Sequence, residues 1–115
     1  MPHACDLVDR HIAAFNAGDV EELLADFAES ATWVTGDYTV PEGGLREFFT
    51  GAMQSLRPRL RLRRIIDGGS SIAVEMREDW SHQSEAKSAG LVAIFDLADG
   101  QIARATIYRE GSADA

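Results

Sequence analysis

One helical face near the start of the sequence is apolar except for a single histidine. Its apolar members, at the three-and-four spacing of an amphipathic helix, are Cys5, Val8, Ile12 and Phe15. His11 lies on the same stripe. Histidine changes its charge near neutral pH, so it can give or take a proton in catalysis. His11 is therefore a candidate acid/base group, and a structural position in the core is the alternative.

A second group of chemically capable residues is the run Arg77, Glu78 and Asp79, which falls in a predicted strand. A carboxylate can activate water or move a proton, and a neighbouring arginine can hold that carboxylate in place. Alternate strand residues point to opposite faces, so the chemistry depends on which of these side chains turn inward.

The register between two predicted strands decides that question. Pairing Leu62 with Met76 and Ile66 with Ile72 puts the apolar residues on one face of the sheet. The opposite face then holds Arg59, Arg61, Arg63, Glu75, Arg77 and Asp79. A β-bulge near Met76 would reverse the pattern and turn the arginine and aspartate of the 77–79 run inward. That aspartate could then form an acid/base pair with His11, and both alternatives stay open on the sequence alone.

Three amphipathic helices are predicted, and the longer strands follow them. The first stops at Ala17-Gly18, and Asp19 can cap the second with its carboxylate. The apolar side of the second helix is predicted to carry Leu23, Leu24, Phe27 and Ala28. A third stripe begins at Leu45, reaches Leu56 and ends before Pro58.

The spacing of apolar residues changes to two after the third helix, which predicts strands. These strands cover residues 60–66, 72–80, 91–97 and 102–108. A further short strand, residues 31–35, is predicted between the second and third helices from its β-branched and aromatic residues. The run 91–97 is nearly all apolar, which is typical of a strand buried on both faces. Asp99-Gly100 predicts a hairpin turn before the last strand. Helices followed by an antiparallel meander predict an α+β fold, a single domain of residues 1–115 with three helices packed on a curved sheet.

Composition narrows the possible functions. A net charge of -8 argues against nucleic-acid binding. An arginine row could still form a phosphate site, but acidic residues on the next strand would neutralise it; its members are Arg57, Arg59, Arg61, Arg63 and Arg64. Cys5 has no partner for a disulfide and is expected to be buried. His3, His11 and His82 lack metal-ligand spacing, so no metal is expected. Neither a secretion signal nor a membrane span is evident, which predicts a cytoplasmic protein.

Four segments carry a resemblance to a known family: Ala14 to Asp19, Phe27 to Trp33, Leu45 to Phe49, and Asp99 to Ile102. With these segments in this order, the chain resembles the nuclear transport factor 2-like superfamily, and within it the SnoaL-like and ketosteroid-isomerase-like group. The resemblance implies a cone-shaped fold with a cavity between helices and sheet, open at one end. It further implies a small apolar, cyclic ligand, a homodimer and no cofactor.

The resemblance to ketosteroid isomerases can be tested residue by residue. Their tyrosine donor would fall at His11, their aspartate base at Thr35 and their protonated aspartate at Ala93. Threonine cannot act as a base near neutral pH and alanine cannot donate a hydrogen bond, so true ketosteroid isomerisation is not expected. Asp37 could replace the base if its loop folds inward, and a solvated turn is the alternative.

Limonene epoxide hydrolases resemble the chain at Arg77 and Asp79, which match their Arg-x-Asp pair. Their second carboxylate would fall at Ile107, and epoxide opening needs two acidic groups. Asp37 or Glu110 would have to stand in for the missing one.

Three functions follow as expectations: a cofactor-free isomerase, cyclase or hydrolase, a ligand-binding module without turnover, and an association domain whose pocket is filled by its own side chains. The catalytic candidates are His11, Arg77 and Asp79. The expected lining of a ligand cavity is Trp33, Thr35, Asp37, Phe49, Met53, Trp80 and Ile107.

Overall fold

The computed structural model describes residues 4–36, 38–55 and 57–110. Its helices are α1 (Ala4–Ala17), α2 (Val20–Ala25) and α3 (Leu45–Ser55). Its strands are β1 (Phe27–Thr35), β2 (Tyr38–Val40), β3 (Arg59–Asp67), β4 (Ser71–His82), β5 (Glu85–Ala98) and β6 (Gln101–Arg109). The predictions made for His3, Asp37 and Leu56 lie outside the described residues.

The turn between α1 and α2 forms as the sequence predicts. Gly18 has a φ of +68°, the left-handed conformation that closes a helix end, and its N–H donates to the carbonyl of Phe15 at 3.1 Å. The carboxylate of Asp19 accepts a hydrogen bond from the backbone N–H of Glu22 at 3.1 Å. The two helices are therefore joined by one glycine and one capping residue.

The chain changes from helix to strand earlier than the sequence predicts. Phe27 and Ala28 belong to β1, not to the second helix, because α2 ends at Ala25. The backbone of this junction is bound by β6 instead: the N–H of Ile102 donates to the carbonyl of Asp26 at 2.8 Å. Tertiary pairing thus overrides the local helical pattern.

The described strands form one six-stranded sheet in the order β2-β1-β6-β5-β4-β3. The run from β3 to β6 is an antiparallel meander, as predicted. By contrast, β1 pairs with β6 in parallel, which the sequence pattern did not indicate. Three helices packed against this curved, mostly antiparallel sheet confirm the predicted α+β class.

A bulge in β3 changes the predicted strand register. Leu62 pairs with Met76 as expected, but Ile66 pairs with Ala73 instead of Ile72, because the register shifts just after Leu62. The prediction for Ile66 is therefore wrong. The shift lies in β3 and leaves the β4–β5 ladder continuous, so side chains along β4 alternate strictly between the two faces.

The face of the sheet that packs against the helices is called the inner face here, and the opposite one the outer face. On β4 the inner face carries Ile72, Val74, Met76, Glu78 and Trp80, all buried. The outer face of β4 carries Ala73, Glu75, Arg77 and Asp79, all half-buried.

Two burial predictions are wrong. On β5, Val92 and Ile94 are only half-buried on the outer face, so this strand is not buried on both sides. Cys5 is exposed, because it lies in the first turn of α1, before the buried part of the helix begins at Leu7.

Candidate functional site

His11, a residue of α1, is buried in the core and surrounded by aromatic rings. It is 1% exposed, and its ring centroid lies 5.1 Å from that of Phe95, 6.0 Å from that of Phe27 and 6.2 Å from that of Phe15. Its Nδ1 has no hydrogen-bond partner among the described residues. Burial lowers the pKa of His11 to about 4, against a smaller opposing effect of the Asp26 carboxylate. The imidazole is therefore neutral near pH 7.

The aromatic packing around His11 continues through the interior. Trp33 and Phe49, two predicted lining residues, meet edge to face with centroids 5.0 Å apart. Phe27 contacts both of them, at 6.2 and 5.8 Å. Such contacts stabilise a packed core. These side chains, two of which were expected to line a cavity, pack against one another in the core.

The inner face carries an ion pair further along the sheet. Glu78 on β4 accepts a charge-assisted hydrogen bond from Nη2 of Arg109 on β6. Their side chains are 11% and 18% exposed. The strand neighbours directly beside Glu78 are Leu60 and Ala89, both apolar and buried. Burial raises the pKa of Glu78, and the positive charge of Arg109 opposes that rise.

Arg109 also contacts Trp80. Its guanidinium carbon lies 5.1 Å from the centre of the Trp80 ring, within the range of a cation–π interaction. Nε of Arg109 is buried and has no hydrogen-bond partner in the part of the chain that the structure describes. On the inner face, the carboxylate of Glu78, the Nε–H of Arg109 and the indole ring of Trp80 therefore lie side by side. They are close to the end of β6 at Arg109.

Arg77 and Asp79 lie on the outer face. Asp79 pairs with Arg61 at 3.0 Å, and Nε of Arg77 donates to the hydroxyl of Ser88 at 3.1 Å. Hydrogen bonds from Ser88 and then Arg61 lower the pKa of Asp79. Because the bulge lies in β3, it does not turn these two side chains inward. The structure therefore does not bring Asp79 together with His11. The Arg-x-Asp pair expected from the likeness to limonene epoxide hydrolases lies on the outer face of the sheet.

Two other predicted lining residues, Thr35 and Ile107, lie side by side on the inner face. Thr35 is the parallel neighbour of Ile107, and Ile107 pairs with Ala93 on its other side. The resemblance to ketosteroid isomerases and limonene epoxide hydrolases implied acidic groups at these three positions. None of the three residues is acidic. Met53 of α3 is half-buried against the core.

Two cavities lie elsewhere, on the surface beside α2 and α3. One of about 460 Å³ is lined by residues that include Leu24, Phe27, Glu29, Arg46 and Gln101. The other, of about 490 Å³, runs along α3 from Gly43 to Gln54. Among the described residues, none of the predicted catalytic or lining residues lines either cavity.

Sequence reasoning underestimated Glu78 and did not single out Arg109. The signal for Glu78 was available, since it has the same strand parity as Met76 and Trp80. Arg109 follows Ile107 with the same parity on the last strand, which also points it inward.

A metal site and a membrane-spanning helix are two other features that would point to a function. Within the described ranges, no group of three or more His, Cys, Asp or Glu side chains is arranged to hold a metal ion. None of the helices in those ranges has the length and hydrophobicity needed to cross a bilayer.

Comparison with known proteins identifies the family. The sequence profile of the SnoaL-like domain matches residues 8–105. The chain belongs to the SnoaL-like family. The resemblance noted from the sequence is thereby confirmed. Among curated proteins, none matches the chain in sequence.

Solved structures share the fold of this SnoaL-like domain at low sequence identity. An NTF2-like protein from Burkholderia pseudomallei superposes with a TM-score of 0.84 and 16% identity, covering 96% of this chain and 92% of that one. TerC, crystallised with polyporic acid, has a TM-score of 0.83 and 19% identity, covering 92% and 90%. A protein from Sinorhizobium meliloti named as a candidate polyketide cyclase has a TM-score of 0.79 and 18% identity, covering 94% and 95%.

Proposed function

We propose that this SnoaL-like domain binds a small, flat and mainly apolar molecule at the end of the inner face where Glu78, Arg109 and Trp80 meet. The observation that carries the proposal is the buried Glu78–Arg109 pair, which leaves Nε of Arg109 without a partner among the described residues. A buried polar atom without a partner calls for an explanation, and a ligand atom supplies one. The indole of Trp80 offers a flat apolar wall beside it.

Glu78 is the group that moves a proton in this proposal. Burial raises its pKa, which makes the protonated form of the carboxyl group easier to reach. Arg109 stabilises the carboxylate and any negative charge that develops on the ligand. The reaction class is cofactor-free acid/base chemistry of the isomerase, cyclase or hydrolase type.

His11 has a different role in this proposal. Because its pKa is about 4, it would not act as a general acid near pH 7. Its neutral ring instead packs between Phe27 and Phe95 and fills space in the core.

The solved relatives suggest which ligand to try first. TerC was crystallised with polyporic acid, and the Sinorhizobium meliloti protein is named as a candidate polyketide cyclase. Flat, oxygenated ring compounds are therefore the class to test, with polyporic acid as the first probe.

The test uses the two tryptophans of the chain. Trp33→Phe assigns their indole N–H signals in a nitrogen–proton NMR spectrum. Titration with polyporic acid is expected to shift the Trp80 signal saturably. Arg109→Gln should weaken binding by about tenfold or more, the cost of one charge-assisted hydrogen bond. The matched control Glu75→Gln changes an outer-face residue and should leave affinity unchanged. A response of Trp33 without Trp80 would place the ligand elsewhere and reject this site.

A second candidate function is self-association through the outer face. Val92 and Ile94 are half-buried there, Tyr108 is 63% exposed, and this apolar strip is flanked by residues of both charges, including Arg77 and Glu75. A face with both charges can pair with a copy of itself in a two-fold dimer. Sedimentation should give a dimer that Ile94→Asp dissociates into folded monomers. A monomeric wild type would reject this function.

The remaining expectations stay predictions: a single domain, a cytoplasmic location, and no cofactor or nucleic-acid partner.

A further inference from the structure

The Glu78–Arg109 pair contains one cation and one anion in apolar surroundings. Arg109 uses Nη2 to bind Glu78, while its buried Nε–H remains available in the described structure. Glu78 is flanked by Leu60 on β3 and Ala89 on β5, neither of which can share its charge. The charge of this site is therefore balanced by a single ion pair.

A ligand that brings an anionic oxygen to Nε–H would add a second negative charge. One buried guanidinium cannot compensate two anions in a poorly solvated site, and an uncompensated buried charge is strongly unfavourable. Protonation of one acidic group removes that cost. Glu78 is the group placed to take the proton, because it shares Arg109 with the incoming anion.

We propose that this site takes an aromatic acid, with its anionic oxygen on Nε–H of Arg109 and its ring beside Trp80, and that each acid anion binds together with one proton that ends on Glu78. This inference rests on the proposed function, since it concerns the same site. In the binding step an O–H bond forms on the Glu78 carboxyl with a proton from solvent. No oxidant, reductant or further reactant is needed.

The charged surroundings of Glu78 agree with this assignment. Among the described residues, the charged groups that act on it are Arg109 from β6 and Asp79, its own neighbour on the outer face of β4. Burial and, to a smaller extent, the charge of Asp79 raise the pKa of Glu78 and so assist protonation, while Arg109 lowers it. Lys87 on β5 lies opposite Trp80 and is paired with Glu85 at 3.1 Å.

Calorimetry with two matched probes tests the inference. 2-Naphthoate carries the acid on a flat ring, and 2-naphthalenemethanol is its neutral counterpart. Titration near pH 7 in phosphate and in Tris, which differ in ionisation enthalpy, counts the protons taken up on binding. We expect uptake of about one proton per naphthoate and none for the alcohol, and a Kd for naphthoate that rises about tenfold per pH unit.

Variants separate a proton acceptor from a structural residue. Glu78→Gln leaves Arg109 without a competing anion, so naphthoate should bind about tenfold tighter or better, with no proton uptake. If Glu78 were only structural, the same variant would weaken binding. Arg109→Gln should abolish the preference for the acid over the alcohol. Glu75→Gln, on the outer face, should behave as wild type, and an unchanged NMR spectrum checks folding in each case.

The outcomes distinguish this inference from the proposed function. Naphthoate binding without proton uptake, or binding of the alcohol alone, overturns the inference and leaves the proposed site standing. If neither naphthalene probe binds beside Trp80, the inference fails. The titration with polyporic acid then decides whether the proposed function is kept or rejected.

Discussion

Asn16 and Leu60 are joined by two hydrogen bonds, in which the side-chain amide of Asn16 takes the place of the backbone of an adjacent strand. Nδ2 of Asn16 donates to the carbonyl of Leu60 at 2.9 Å, and Oδ1 accepts from the N–H of Leu60 at 2.6 Å. β3 is an edge strand of the sheet, so these backbone groups have no neighbouring strand. The side chain of Asn16 therefore closes part of a free sheet edge and ties α1 to β3.

Replacing Asn16 tests this anchor. Asn16→Ala removes both bonds and leaves the backbone of Leu60 partly unsatisfied, so the free energy of unfolding should fall by about 2–4 kcal/mol. Urea unfolding measures the change. Ser55→Ala is the matched control, because Ser55 Oγ makes an exposed bond to the carbonyl of Gly51. We expect less than about 0.5 kcal/mol there, and an equal loss in both variants would contradict the anchor.

His11 makes stability depend on pH. Its pKa is about 4 in the folded protein, below the ordinary value of 6.5, so the unfolded chain binds a proton more readily. The contribution of neutral His11 is fully present above about pH 6.5 and is lost as the pH falls towards 4. Between about pH 7 and 5 the loss should be about 2 kcal/mol.

The measurement is urea unfolding at both pH values for wild type and His11→Leu. The leucine variant should fold and lose this part of the pH dependence, because its buried side chain has nothing to protonate. His82→Gln, which changes a histidine on β4 outside the core, should retain it. An identical pH dependence in wild type and His11→Leu would mean that His11 is not buried as described.

The β4–β5 hairpin contains two residues in a conformation that favours glycine. Gln83 has a φ of +52° and Ser84 of +66°. Ser84→Gly relieves this backbone strain and should raise the free energy of unfolding by about 1 kcal/mol. Ala86→Gly, placed in the strand itself, should instead lower it by about 0.5–1 kcal/mol. Thermal unfolding distinguishes the two, and a loss of stability in Ser84→Gly would show that the serine side chain is needed.

The sequence predicted the local parts of the fold well. Gly18 and Asp19 determine the α1–α2 turn by their own backbone and side-chain chemistry, so the pattern was sufficient there. The parallel pairing of β1 with β6 was missed because it joins distant segments and leaves no periodic signal. Phe27 fits the apolar stripe of a helix as well as it fits the start of a strand. Only the hydrogen bonding of this segment to β6 decides between the two.

The candidate site was predicted less well, for a physical reason. Strand parity alone puts Glu78 inward with Trp80, but the partner that makes it chemically interesting is Arg109, two strands away. The sequence also could not reveal which aromatic rings of the core meet, such as His11 with Phe95 and Trp33 with Phe49. Side-chain packing of this kind depends on the whole core.

The most direct test of the proposed site beside Trp80 is a crystal structure of the protein from crystals soaked with polyporic acid. Ligand density is expected against the ring of Trp80, with an oxygen within hydrogen-bond distance of Nε of Arg109. Density among Phe15, Phe27 and Phe95 beside His11, or only in the surface cavity beside α2 and α3, would contradict it.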